Sequence, residues 1–214
     1  MNFEHLIPIL VSTGIAAAPP IDAALGGLGC GRGGVLELGV EGMMLVGAVA
    51  AFAAGTATGS LTIAFIAGAL AATVLSLLFA FLTLSLQTNQ VATGLALPLF
   101  GVGLSAFIGR GYAGMPIDRV PKLDIAGISD LPVIGPLLLN YDLLVYLSIA
   151  LYFAVNGFLT RTHAGLRLRA VGESPGVAHA IGEPVIAIRY LAVMFGGAMS
   201  GIAGAYLSTA LTPM

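Results

Sequence analysis

The sequence predicts an all-α protein, a polytopic transmembrane helical bundle with one broken helix and one short helix in a polar loop. Three observations lead there. Of 214 residues, 58% are hydrophobic and only 8% are charged, where soluble domains carry roughly 25% charged residues. Mean hydropathy is +1.02, so the surface lacks the polar groups that water would demand and is built for lipid. Apolar runs of about 20 residues, the length that crosses a bilayer, recur along the chain.

Those runs lie at about 6–25, 35–54, 60–85, 90–109, 141–159 and 190–211. The N-terminus, Met1-Asn2-Phe3-Glu4-His5, has no basic region of the kind that opens a cleaved signal peptide, so the first run is expected to stay as a span. Between the first and second runs lies Gly26 to Gly34, a stretch made mostly of glycine. Glycine is among the poorest helix formers, and this stretch is expected to break the helix, within the membrane if the irregular backbone lines a cavity or is enclosed by protein. The parity of the N-terminal segment is left open by that break.

The second run carries Glu37 and Glu41. On a continuous helix a spacing of four places both carboxylates on one face. An acid at the centre of a bilayer costs roughly 2.5–3.5 kcal/mol, so this face is expected to point into the bundle or a cavity. Either the pair marks a pathway or gate, or it is a structural charge balanced by a neighbour such as Arg32. The connectors Gly55 to Gly59 and Leu86 to Asn89 are short, which makes the second, third and fourth runs antiparallel neighbours.

Two longer polar segments follow. Residues 110–140 hold Arg110, Arg119 and Lys122 against Asp118, Asp124 and Asp130, with prolines between them. Residues 160–189 hold Arg161, Arg167, Arg169 and Arg189 against Glu173 and Glu183. The more basic loop is expected on the cytoplasmic side, making 110–140 external. Within the basic loop, Ser174 is a helix N-cap type and Pro175 suits the first helical position. A short helix is expected from there to near Gly182, with Pro184 just beyond. So short a helix is marginal alone in water. It is either a docking element that needs a partner surface or a segment lying on anionic headgroups.

The last run contains Gly196-Gly197-Ala198-Met199-Ser200-Gly201-Ile202-Ala203-Gly204, whose GxxxG spacing reads as a helix-packing face. The chain reads as a single transmembrane domain, and its end at Leu211-Thr212-Pro213-Met214, without a polar tail, reads as a truncation. Cys30 is the single cysteine, which excludes an intrachain disulfide and reads as a small packing residue. His5, His163 and His179 lack ligand spacing, so no metal or other cofactor is expected. A net charge of −2 gives no reason to expect nucleic acid. The sequence has no GxxxxGK[ST], GxSxG or HExxH, hence no nucleotide loop and no candidate catalytic residue.

Several segments in one order carry a family resemblance. Arg32 to Leu45 (RGGVLELGVEGMML), Gln90 to Leu97, Arg167 to Pro175 (RLRAVGESP), Arg189 to Val193 and Gly196 to Leu207 together resemble the bacterial ABC-transporter inner-membrane permeases for simple sugars and nucleosides, relatives of the ribose and branched-chain amino-acid permeases. The resemblance implies a non-enzymatic transport subunit of the bacterial inner membrane. It would pair with a second permease, dock cytoplasmic ATPases and receive cargo from an extracytoplasmic substrate-binding protein. It also implies a coupling role for Gly172, Glu173, Ser174, Pro175, Ala178 and Gly182, and a translocation path past Glu37, Glu41, Met43 and Met44. The chain departs from the family pattern at Gly31, where an acid is usual, and at Glu37 and Pro98, where asparagine is usual. The competing reading is an ion-coupled secondary transporter or channel that uses Glu37 and Glu41 as ligands.

Overall fold

The computed structural model describes residues 3–115 and 141–211, with side chains for 11–115 and 141–210. The expected external loop at 110–140 therefore lies outside the described residues from position 116. Among the described residues the chain is helical: α1 Phe3–Arg32, α2 Val40–Thr58, α3 Leu61–Ala80, α4 Gln90–Gly109, α5 Leu143–Arg161, α6 His163–Glu173, α7 Pro175–Ala180 and α8 Val185–Tyr206. A π-helical turn extends α3 through Phe81–Ser85 and another extends α8 through Leu207–Leu211.

Five of these helices, α2, α3 with its π turn, α4, α5 and α8, are long and apolar enough to cross a membrane. Their outer surfaces say which solvent they meet. Leu99 and Phe107 are each 76% exposed, and Val74, Leu70, Phe153 and Leu191 are also turned outward. Helices apolar all round need lipid or another protein against those faces. This is a multi-pass membrane protein.

α8 is the centre of the bundle and packs against α1, α2 and α3; α4 packs on α2, and α5 on α1. Small residues permit that. A methyl group built on Gly47 of α2 would lie 2.7 Å from Gly201 Cα, and one on Gly68 of α3 would lie 2.9 Å from Gly47 O. Three backbones thus meet at Gly47, Gly68 and Gly201, and Gly204 is pressed equally close to Met44 O. The expected packing face on α8 is therefore present, and dispersion between closely approaching backbones holds it. Around these contacts Met43, Phe79, Val193 and Tyr206 are fully enclosed.

Several polar groups at helix ends and inside the bundle have local partners, although one oxygen each of Asp22 and Glu37 is buried without one. Asn89 Oδ1 accepts from Val91 N and Ala92 N, capping α4, and Thr162 Oγ1 accepts from Gly165 N, capping α6. Ser148 on α5 donates to the buried Asp22 on α1 at 2.9 Å, and Tyr206 donates to Asp142 at 3.2 Å.

Two expectations are corrected here. The glycine stretch does not break α1 in its middle: the helix runs through Gly26, Gly27, Gly29 and Gly31 to Arg32. Gly26 sits against the Gly196 backbone and Gly29 against the Phe195 ring, so these glycines serve close packing while the helix keeps its hydrogen bonds. The last span also begins earlier than expected, at Val185 rather than 190, because Arg189 lies inside the helix with its side chain bonded to protein.

Candidate functional site: the break before α2 and the hairpin beneath it

The true break is at 33–39, and its start is chemically explicit. Gly34 N donates to Gly31 O at 3.0 Å and Val35 N to Cys30 O at 3.1 Å, the paired bonds of a Schellman ending. Gly34 has φ +74, a conformation that costs other L-residues roughly 1–2 kcal/mol. Val35 folds back and is 1% exposed, giving the hydrophobic contact that accompanies this ending. The chain then runs without regular structure through Val35–Gly39 before α2 starts at Val40.

Glu37 and Glu41 consequently do not share a helical face, because only Glu41 is inside α2. Glu37 turns back toward α1. Cys30 Sγ donates to Glu37 Oε2 at 2.6 Å and lies 3.2 Å from Ala192 O. Gly196 makes room for this pair, since a Cβ there would strike both the Cys30 sulfur and the Glu37 carboxyl. Cys30 is thus more than a packing residue, and Glu37 is partnered by a thiol rather than by Arg32. Glu41 is exposed in the first turn of α2, where the helix dipole favours an acid. Met43 is buried in the core of the chain, and Met44 is half-buried with its carbonyl against Gly204. The four residues expected to line a path therefore lie on the break and at the start of α2 without converging on one point.

α4 supports the outer side of the break. Leu36 N donates to Gln90 Oε1 at 3.0 Å, Gly94 lies against Leu38, and Gly42 lies against Leu97 O and Pro98 Cα. Pro98 is inside α4, where its missing N–H and its ring distort the local ladder. That is where α2 comes closest. Leu36 and Leu38 on the break, Glu41 in the first turn of α2, and Leu95 and Leu99 on α4 are exposed, covered by none of the described residues.

The inner side of the break rests on the basic loop. Arg189 Nε donates to Gly33 O at 3.1 Å. Gly172, at the end of α6, has no room for a side chain against Arg32 O, and a Cβ on Gly34 would lie 3.1 Å from Gly172 Cα. α7 forms as expected, at Pro175–Ala180 with Ser174 as N-cap, although the Ser174 side chain makes no capping hydrogen bond. Glu173 at the end of α6 is exposed. Gly182, at φ +89, turns the chain back, and Arg167 Nε pairs with Glu183 Oε1 at 3.1 Å, tying that turn to α6. Ala178 is buried against its own chain, whereas Val177 and Ile181 are 62% and 72% exposed. The sequence-derived set omitted these two. Their signal was a pair of apolar residues at i and i+4 across a short helix with no other large apolar side chain.

Among the described residues no group of His, Cys, Asp and Glu is arranged to hold a metal ion. The hairpin thus presents two exposed apolar residues, and it contacts the start of the irregular segment through Gly172 and Arg189.

Residues 16–213 match the family model described as branched-chain amino acid transport system / permease component. The provisionally named glucose ABC transporter permease of Haloferax volcanii is 40% identical over 210 residues, covering 96% of this chain and 64% of that protein. The guanosine ABC transporter permease of Bacillus subtilis is 33% identical over 98% of this chain and 70% of its own length. The nucleoside ABC transporter permease of Lactococcus lactis is 29% identical over 99% and 71%. The chain thus spans just under two thirds of the first relative. No solved structure matches it.

Proposed function

Because this chain belongs to the family of branched-chain amino acid transport system permease components, we propose that it is the membrane-spanning subunit of an ATP-driven importer for a simple sugar or nucleoside. The relatives named for glucose, guanosine and nucleosides support that cargo class. In this reading residues 160–189 face the cytoplasm and α7 seats in a groove of a separate ATPase. A second permease covers the open face formed by Leu36, Leu38, Glu41 and α4, and an extracytoplasmic binding protein delivers the cargo.

The observation that carries the reading is the presentation of α7. Two large apolar residues stand in the open on a six-residue helix, Pro175–Ala180 and the residue after it. That helix is too short to be stable alone, and it is held in place by the Gly182 turn and the Arg167–Glu183 pair. A push on α7 passes along α6 to Gly172, and through the turn to Arg189, so both contacts act on Gly33 and Gly34. The break then tilts against α4, and the path past Glu37 and Glu41 opens or closes. The energy comes from nucleotide binding at the partner.

Ion coupling through Glu37 and Glu41 gains little support, since the first is engaged by Cys30 and the second points elsewhere. The test is co-purification of the tagged chain with an ABC ATPase from membranes of its native cell. Val177→Asp with Ile181→Asp should abolish recovery of the ATPase and leave membrane insertion unchanged. Undiminished recovery would sink the docking role.

A further inference from the structure

A cavity of about 170 Å³ lies at the α1–α5 seam, and two arginines from different elements line it: Arg32 at the end of α1 and Arg169 on α6. No acidic side chain is in its lining. Among the described residues neither arginine forms an ion pair; the pair in the neighbourhood, Arg167 with Glu183, is on the other side of α6. The Nε of Arg169 is buried without an acceptor, so this guanidinium is only partly solvated and uncompensated. Arg32 is exposed, but two positive charges converging on one cavity repel each other, and an anion between them relieves that cost.

The rest of the lining says what kind of anion. Asn156 and Thr160 sit beside the arginines, one turn from the end of α5 at Arg161, which is where a membrane span meets the headgroup layer. One to two turns back along the same helix faces are Leu25 and Leu28 on α1 and Tyr152 on α5; Leu28 is 44% and Tyr152 51% exposed, so an apolar track leads from the cavity along the outer surface of α1 and α5. A charged end at the membrane boundary and an apolar track toward its interior match an amphiphile.

We propose that this cavity binds the phosphate headgroup of an anionic phospholipid, with Arg32 and Arg169 on the phosphate and an acyl chain along Leu28 and Tyr152. The site requires only that α5 ends at the membrane boundary; it does not depend on ATPase docking. Arg32 immediately precedes the break, and Arg169 is three residues before Gly172. A lipid held there would stiffen the joint through which α6 acts on Gly34.

The experiment uses the full chain purified in neutral detergent, with native mass spectrometry and thermal unfolding as readouts. Phosphatidylglycerol, phosphatidylcholine and inorganic phosphate are added separately. Phosphatidylglycerol is expected to be retained and to raise the melting temperature, with phosphatidylcholine and phosphate giving neither effect. Arg32→Gln and Arg169→Gln should each weaken phosphatidylglycerol retention roughly fivefold, the worth of one basic residue at an anionic surface. Arg169→Lys, which keeps the charge if the glutamine variant folds poorly, should lose less. Arg161→Gln, an exposed arginine outside the cavity lining, should change retention by less than about twofold on the same scale. Stabilisation by inorganic phosphate without lipid selectivity would overturn the lipid assignment in favour of a free anion. Equal losses from Arg161→Gln and Arg169→Gln would overturn the cavity itself, leaving a diffuse basic surface.

Discussion

Glu37 owes its position to neighbours far away in sequence: the Cys30 thiol at 2.6 Å, the Gly34 turn, and Gly196 on α8, which leaves space for both groups. The residue spacing alone put Glu37 and Glu41 on one helical face. What defeated that inference was the Schellman ending at Gly34, which starts a non-helical segment just where the apolar run begins. The glycine signal itself was legible, since a C′ glycine followed by an apolar residue is how helices stop. Its position was not, because the other glycines in the stretch are used to pack α1 against α8. At this scale the thiol matters as a donor. Cys30→Ala should lower stability by about 1–3 kcal/mol, because an enclosed carboxyl loses its partner. Cys30→Ser, which keeps a donor, should cost less than about half of that. Thermal unfolding of the two variants in detergent compares them, and identical melting temperatures would mean the pair contributes nothing.

The helices themselves were the most readable level. Each apolar run expected from composition corresponds to one of the helices α1 to α5 and α8, because in lipid the backbone must satisfy its own hydrogen bonds and a long apolar run has no other option. The boundary error at α8 came from counting Arg189 as loop, when its guanidinium is held by Gly33 O. The GxxxG face also held, and it predicts where side chains cannot grow. Gly201→Leu would drive a side chain into Gly68 O and Ala69, and should cost at least the roughly 1–3 kcal/mol typical of overpacking, read as reduced yield and a lower melting temperature. Arg189→Gln is a different case. It leaves α7 and its exposed residues in place but removes the bond to the break. The expected result is normal ATPase recovery with cargo uptake reduced about tenfold or more, as for loss of a charge-assisted hydrogen bond at a coupling point. Parallel loss of ATPase recovery would mean Arg189 supports the docking hairpin and not the transmission.

At the scale of the whole molecule, the chain is a bundle with unfinished surfaces. The face of Leu36, Leu38, Glu41, Leu95 and Leu99 is open, and so are the knobs Val177 and Ile181. Composition announced lipid, but it could not separate lipid-facing residues from partner-facing ones, since both are apolar. That distinction came from the break and the hairpin, which arrange small, polar and strained residues around two of the open surfaces. In the proposed transporter one surface is the seam of a paired permease and the other the seat of an ATPase. The most direct measurement is the composition of the complex extracted intact from membranes of the native cell with a tag on this chain, determined by native mass spectrometry. A pair of permease chains carrying a pair of ATPases is the predicted result. Recovery of this chain with no nucleotide-hydrolysing partner, under conditions that keep other ABC transporters assembled, would contradict it.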